Sequence, residues 1–141
     1  MKQIIKTGVV VAFALAGSAA LAQVAVVVGA KSTAANLTED QVKSLFLGKS
    51  DQIPGVGTAL LLDQSESSPV REQFYSKVTG KSGSQVKATW SRLVFSGKAT
   101  PPKELGNSGD VKKMVGNNAN AIGYIDKASV DASVKVLFAA D

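Results

Sequence analysis

The chain has 141 residues, 45% of them hydrophobic, and it contains neither cysteine nor histidine. Those two absences exclude disulfides, thiolate nucleophiles, the usual zinc sites and histidine-based acid–base catalysis. No phosphate-loop or serine-nucleophile motif is found either, so we predict neither an enzyme nor a cofactor. The formal net charge is +5. This charge is too small and too dispersed for a nucleic-acid partner, which needs a concentrated basic stripe.

The first 22 residues have the composition of a cleaved signal peptide. Lys2 and Lys6 form a short basic region, residues 8–17 are apolar, and residues 20–22 (Ala-Leu-Ala) have the pattern that signal peptidase accepts. We therefore predict export, either to a periplasm or by outright secretion. Residues 23–141 would then form one domain of 119 residues with a formal charge of +3.

Strand and helix signals alternate along the rest of the chain. Residues 24–28 form a continuous apolar run that is typical of a buried strand, and residues 59–62 form a second one. Between them, Thr38 opens a capping box that predicts a helix. The remaining predicted elements are a turn over 51–57, a helix from Pro69 to Gly80, a helix opened by a capping box at 82–85, a loop over 97–107, a short helix capped by Ser108, and strands over 121–125 and 134–138.

This alternation predicts a small α/β fold with a mostly parallel sheet flanked by helices. Ligands of such folds collect outside the carboxyl ends of the strands. Lys31, Ser32, residues 65–71 and Asp126 all follow predicted strands. We therefore expect them to lie near one edge of the sheet. Trp90 has helical spacing with apolar neighbours, which favours packing in the core over ligand contact.

The turn after the second strand is the candidate anion site. Ser65, Ser67 and Ser68 precede Pro69, which marks the first helical turn and makes Ser68 the predicted N-cap. A helix N-terminus that follows a strand offers free N–H donors and a partial positive charge. The serine hydroxyls add further donors, so an oxyanion is the ligand that suits this turn.

Arg71 has an unusual position, because a cation in the first turn opposes the helix dipole. It either shares an oxyanion with the serines or pairs with Asp63 or Glu66, and surface arginines more often find a carboxylate. The predicted anion-binding residues are Ser65, Ser67, Ser68, Arg71, Asp63 and Ser32.

Two segments carry distinctive motifs, Leu-Phe-Leu-Gly-Lys within residues 37–49 and Asn-Ala-Ile-Gly-Tyr-Ile at residues 120–125. With Asp63 and the serine turn, they resemble one lobe of the phosphate-binding proteins that serve phosphate ABC transporters, in the type 2 periplasmic binding superfamily. Residues 68–74 and 90–98 resemble short, single-lobe members. The resemblance implies a phosphate ligand and places Ser65, Ser67 and Asp63 at the phosphate turn. Glu66 stands where the family's Ser-Gly-Thr turn has glycine.

Two functions remain open from the sequence. The first is an exported domain that binds phosphate or a related oxyanion at the serine turn, linked to phosphate uptake through the membrane component of an ABC transporter. The second is a single-lobe envelope module that docks another envelope protein or homodimerises without tight phosphate binding. The second hypothesis draws on residues 95–102, a loop that could present an apolar surface. Monomer and homodimer are both compatible with the sequence.

Overall fold

The computed structural model describes residues 23–140, and the predicted signal peptide lies outside them. Its strands are β1 (Val24–Gly29), β2 (Gln52–Ile53), β3 (Gly57–Thr58), β4 (Leu60–Gln64), β5 (Lys103–Leu105), β6 (Ala121–Asp126) and β7 (Val134–Ala140). Its helices are α1 (Glu39–Phe46), α2 (Pro69–Phe74), α3 (Gly83–Phe95) and α4 (Ser108–Asn117). A π-helical turn, Tyr75–Thr79, continues α2, and a short 3₁₀ turn, Lys127–Ser129, follows β6.

Five strands form the main sheet in the order β5-β4-β6-β1-β7, and β2 pairs with β3 in a separate small hairpin. β4 is parallel to both β5 and β6, whereas β1 is antiparallel to its neighbours β6 and β7. Four of the five strands therefore run in one direction. The prediction of an α/β fold with a mostly parallel sheet flanked by helices is confirmed.

The reversed direction of β1 corrects one prediction about the site. Val24, at the start of β1, pairs with Asp126 at the end of β6. Gly29, at the end of β1, therefore lies at the opposite end of the strands, where β6 begins. Lys31 and Ser32 follow Gly29, and the expectation that they share an edge with the serine turn is wrong. The physical reason is that an apolar run shows burial on both faces but not the direction of the strand.

Both faces of the sheet are covered by helices. On one face, Val111 and Val115 of α4 pack against Val27 of β1. On the other face, α1, α2 and α3 enclose an aromatic cluster of four fully buried rings, Phe46, Phe74, Tyr75 and Tyr124. β1 is apolar along its length because its side chains contact both of these layers.

Trp90 belongs to this core, as the sequence predicted. Its side chain is 7% exposed, and its indole N–H donates a 2.9 Å hydrogen bond to the carbonyl of Phe46. The predicted capping boxes at Thr38 and Ser82 are also confirmed, since each side chain accepts an N–H from the third helical residue. Within residues 23–140, no helix combines the length and the apolar character that a membrane span requires.

Two local predictions between α3 and β6 are wrong. Residues 103–105 were expected in a loop but form the edge strand β5, which the polar sequence Lys-Glu-Leu does not indicate. The N-cap of α4 is Asn107 rather than Ser108, because the Asn107 side chain accepts the N–H of Asp110 at 3.0 Å. Asn and Ser are equally good N-caps, so adjacent candidates cannot be ranked by residue type. The Ser108 hydroxyl instead accepts a hydrogen bond from the N–H of Asp126 at 3.1 Å.

Candidate functional site

The serine turn projects from the carboxyl end of β4 and is closed by backbone hydrogen bonds. The N–H of Ser65 donates to the carbonyl of Leu105 in β5 at 2.8 Å, and the N–H of Ser68 donates back to the carbonyl of Ser65 at 2.9 Å. The hydroxyls of Ser65 and Ser67 are 2.9 Å apart and hydrogen bonded to each other. The edge strand β5 therefore fixes the position of this turn.

Ser68 is at the N-cap position of α2, as predicted, but its hydroxyl does not cap the helix. It donates a 2.6 Å hydrogen bond to the side-chain carbonyl of Gln64, which is fully buried. The amide group of Gln64 in turn donates to the carbonyl of Tyr124 at 2.9 Å. The Ser68 hydroxyl is therefore directed towards the protein interior, and its hydrogen bond to Gln64 fixes the end of the turn to the core.

The serine turn offers hydrogen-bond donors that the protein does not use. Among residues 23–140, no acceptor is found for the backbone N–H groups of Glu66, Ser67 and Val70. Pro69 contributes no N–H. Ser67 is exposed and Ser65 is partly exposed. Three N–H groups and the paired hydroxyls thus lie in one short stretch that solvent can reach, and this chemistry suits an oxyanion.

Asp63 lies beneath the turn in a buried polar cluster. Its residue is 8% exposed, and its Oδ1 atom accepts hydrogen bonds from the Tyr124 hydroxyl and from the N–H of Gln64, the latter at 2.8 Å. Burial, followed by the charge of Asp63, raises the pKa of Tyr124. The Tyr124 hydroxyl consequently stays protonated and donates to the carboxylate at physiological pH.

Arg71 is buried beside this carboxylate. The residue is 7% exposed, its Nε lies 3.6 Å from Oδ1 of Asp63, and its guanidinium carbon lies 5.4 Å from the centre of the Tyr75 ring. Burial is the largest effect and opposes the charged form, but the charge interactions with Asp63 and, less strongly, with Tyr75, Tyr124 and Glu66 together outweigh it and raise the pKa of Arg71. Of the two explanations offered by the sequence, pairing with a carboxylate is therefore observed, and the carboxylate is Asp63.

The hydrogen-bonding capacity of Arg71 is nevertheless unused. Among residues 23–140, its guanidinium donates no hydrogen bond, and its Nε is buried without an acceptor in bonding geometry. Asp63 approaches the Nε side of the guanidinium, and the terminal nitrogen Nη1 lies against Gly83 of α3, where an added Cβ would be 3.1 Å away from it. A guanidinium carries five N–H donors, which makes this an unusually donor-rich buried group.

Glu66, at the tip of the turn, is directed towards α3. Its carboxylate is 3.0 Å from the ammonium group of Lys87, and both side chains are more than 60% exposed. The hydrogen bond from Lys87, followed by the charge of Lys87, lowers the pKa of Glu66. The negative charge of Glu66 is thereby compensated by a cation.

A cleft of about 460 Å³ opens beside the turn, between β4, β5, α3 and the loop after α3. Its charged lining residues are Asp63, Glu66, Arg71, Lys87 and Glu104, and its apolar ones are Trp90, Val94, Phe95, Pro101 and Pro102. None of the three turn serines lines it. Within the described part of the chain, no three potential metal-ligating side chains form a cluster.

The structure thus separates the predicted anion-binding residues into distinct groups. Ser65 and Ser67 lie at the surface of the turn, Ser68 is bonded inward, and Asp63 and Arg71 form a buried pair facing the cleft. Ser32 lines a separate cavity with residues of the α4 carboxyl end. The contributions of Gln64, Lys87 and Tyr124 were not predicted, because each acts through contacts distant in sequence.

The architecture around this site is one shared with substrate-binding proteins of phosphate transport. Three solved structures match it over 82% of this chain. One, from Clostridium perfringens, contains bound phosphate and is described as a phosphate ABC transporter substrate-binding protein (TM-score 0.65, 23% identity). The others are an ABC-type phosphate transport receptor from Vibrio cholerae (0.63, 24%) and PstS from Borrelia burgdorferi (0.59, 15%).

The matched region is 45%, 46% and 47% of those three chains, so this chain spans less than half of each. The predicted resemblance is confirmed at the level of the fold. No family model and no curated protein matches the sequence. The structural neighbours are named as substrate-binding or transport proteins rather than enzymes, and they lend no support to the alternative of a docking module.

Proposed function

We propose that this chain is an exported domain that binds phosphate or a related oxyanion at the serine turn. The observation that carries the proposal is the set of uncommitted donors there. The N–H groups of Glu66, Ser67 and Val70 have no protein acceptor within residues 23–140. The fold similarity to a structure with bound phosphate supports the same ligand class.

Each part of the turn has a chemical role in this proposal. The Ser65 and Ser67 hydroxyls donate to the anion, which requires them to give up their mutual 2.9 Å bond. Hydrogen bonds to an anion are about twice as strong as neutral ones, so the exchange is favourable. Arg71 supplies positive charge from below, held in place by Asp63. Lys87 offsets the charge of Glu66, which otherwise repels an anion.

The proposal extends to cellular context. A cleaved signal peptide at residues 1–22 would deliver the domain to a periplasm, where it would present phosphate to the membrane component of an ABC transporter. The similarity to the V. cholerae transport receptor supports this assignment.

Isothermal titration with phosphate, with sulfate as a second anion, tests the proposal. We expect a dissociation constant in the micromolar range, about −8 kcal/mol. The double variant Ser65→Ala/Ser67→Ala should weaken phosphate binding at least about tenfold, or about 1.4 kcal/mol. Ser84→Ala is the matched control, since Ser84 is exposed on α3 and lies outside both the turn and the cleft lining. Absence of phosphate binding, or equal binding by the double variant and the control, would refute the proposal.

A further inference from the structure

The cleft beside the serine turn is bordered by the most exposed apolar side chains of the described chain. Phe95 is 96% exposed and Val94 is 42% exposed, and residues 23–140 contain no other large hydrophobic side chain with such exposure. Both line the cleft together with Trp90, Pro101 and Pro102. Apolar side chains that are exposed next to one another, rather than scattered singly, are typical of a surface that contacts a partner.

The charged groups of the cleft are mostly paired with one another. Asp63 lies 3.6 Å from Arg71, and Glu66 lies 3.0 Å from Lys87, so four of the five charged lining residues already have an opposite charge beside them. The fifth is Glu104, for which residues 23–140 provide no ion-pair partner. An uncharged apolar group suits this lining better than an ion does. The ring of a phenylalanine is such a group, and a cleft of about 460 Å³ can admit it.

Helix α3 places Phe95 between the cleft and an unpaired cation. Lys87, Ser91 and Val94 follow one another at helical spacing and line the cleft. By the same helical period, Arg92 lies on the other flank of the helix, and Phe95 lies between Arg92 and the cleft-lining side. Arg92 is exposed, and no carboxylate among residues 23–140 forms an ion pair with it. The end of α3 thus carries a protruding ring, a cleft on one side and a free positive charge on the other.

We propose that a second copy of this chain covers this surface in a two-fold symmetric dimer. In such a dimer the same patch of both copies meets, so the patch must be complementary to itself. Here it is, because the Phe95 ring of each copy can enter the cleft of the other. Glu104 belongs to β5, on the far side of the cleft from α3. Seating both rings therefore carries Glu104 of the partner subunit across α3 to the flank of Arg92, where the two unpaired charges meet.

The dimer is compatible with anion binding and does not rest on it. None of the three turn serines lines the cleft, so the donors of the serine turn stay outside the patch. The patch consists of one helix end, a short loop and a three-residue edge strand. We therefore expect an interface at the low end of the usual size range and a weak dimer, with a dissociation constant of roughly 10–100 μM.

Sedimentation velocity of protein purified from expression of the full chain measures the dimer directly. Protein concentrations from about 5 to about 500 μM bracket the expected dissociation constant. Phe95→Ser should weaken dimerisation at least about tenfold, and it leaves the monomer fold intact because Phe95 is almost fully exposed. Trp90 lines the cleft and is the chain's single tryptophan. Its fluorescence should therefore change on dilution of the wild type and stay constant on dilution of Phe95→Ser.

Charge reversal tests how the two copies are arranged. Arg92→Glu should weaken dimerisation several-fold, because it brings two carboxylates together, and Arg92→Glu/Glu104→Arg should restore it. Lys113→Glu is the matched control, because Lys113 is also an exposed helical cation but belongs to α4, on the other face of the sheet. Both single variants change the net charge by the same amount. A weaker dimer in Arg92→Glu alone therefore reports a local contact and not general repulsion.

Each outcome decides for or against the dimer. A dimer that Phe95→Ser weakens and that the double reversal restores supports the inference. A chain that sediments as a monomer at every concentration overturns it, leaves the surface to a different occupant, and leaves the proposed function standing. A dimer that Phe95→Ser does not weaken also overturns it, because the contact would then lie elsewhere. Equal weakening by Arg92→Glu and by the double reversal overturns the two-fold arrangement.

Discussion

Replacing Tyr124 by phenylalanine isolates one hydroxyl group in the aromatic core. The ring stacks on Phe74 with centroids 4.1 Å apart and planes within 4°, and phenylalanine retains that ring. The hydroxyl donates to Asp63 and accepts the N–H of Gln64 at 3.1 Å. Tyr124→Phe therefore removes two buried hydrogen bonds and almost no packing volume.

The expected loss follows from the environment of the two bonds. A hydrogen bond to a charged group contributes about 1.5–3 kcal/mol to stability. The N–H of Gln64 keeps a second acceptor, Oδ1 of Asp63 at 2.8 Å, so little is lost there. Asp63 remains buried with one donor fewer. We therefore expect Tyr124→Phe to lower the free energy of unfolding by about 2–3 kcal/mol.

Tyr75→Phe is the matched control, because Tyr75 belongs to the same cluster, is fully buried, and has a hydroxyl with no hydrogen-bond partner within residues 23–140. Its removal should change stability by less than about 0.5 kcal/mol or raise it slightly. Urea denaturation followed by circular dichroism measures both variants. A loss of 2–3 kcal/mol corresponds to a midpoint lower by about 1 M or more. Equal midpoints for the two variants would refute the assignment of a stabilising role to the Tyr124 hydroxyl.

Two further predictions concern stability. Gly48 and Gly80 both have left-handed backbones, with φ of +77° and +71°, but an added Cβ at Gly48 would lie 2.4 Å from Leu93, whereas Gly80 has open space. Urea denaturation should show a loss of about 1 kcal/mol for Gly80→Ala and a larger one for Gly48→Ala; equal losses would exclude the steric effect. A hydrogen bond from Lys112 lowers the pKa of Asp131 in the folded protein. The stability that ionised Asp131 contributes to the fold is therefore complete above about pH 3.9, the pKa of an unfolded aspartate, and it is lost as the pH falls through the lower pKa of the folded protein. The melting temperature of Asp131→Asn should therefore lie below wild type at neutral pH and converge with it in acid; a constant gap would contradict this.

The elements that could be predicted from the sequence are those specified by local contacts. The capping boxes at Thr38 and Ser82 are formed by residues three positions apart, and both helices begin where these motifs indicate. The continuous apolar run of residues 24–28 likewise predicts β1 correctly. The direction of β1 and the existence of the edge strand β5 depend on pairing with strands elsewhere in the chain. The local residue pattern does not indicate these pairing partners.

The same distinction applies to the site. The position of the serine turn follows from the apolar run of residues 59–62, which stops before Asp63, and from Pro69, both local signals. The hydrogen bonds beneath the turn depend on Tyr124, which lies about sixty positions from Asp63 and Gln64. In the sequence, Tyr124 is simply one residue of a strand. No local pattern distinguishes a tyrosine that holds a buried carboxylate from one that only packs.

The position of β1 has a consequence for the order of folding. This strand comes first among the described elements, yet it lies between β6 and β7, about one hundred positions later in the chain. Contacts of such high sequence separation form slowly, because a long loop must be closed before any of them contributes. The Val-rich segment has two unpaired edges until β6 is available and one until β7 is available, and an unpaired edge can associate with other chains. A chain interrupted before Val134 would therefore be more aggregation-prone than one that includes β7.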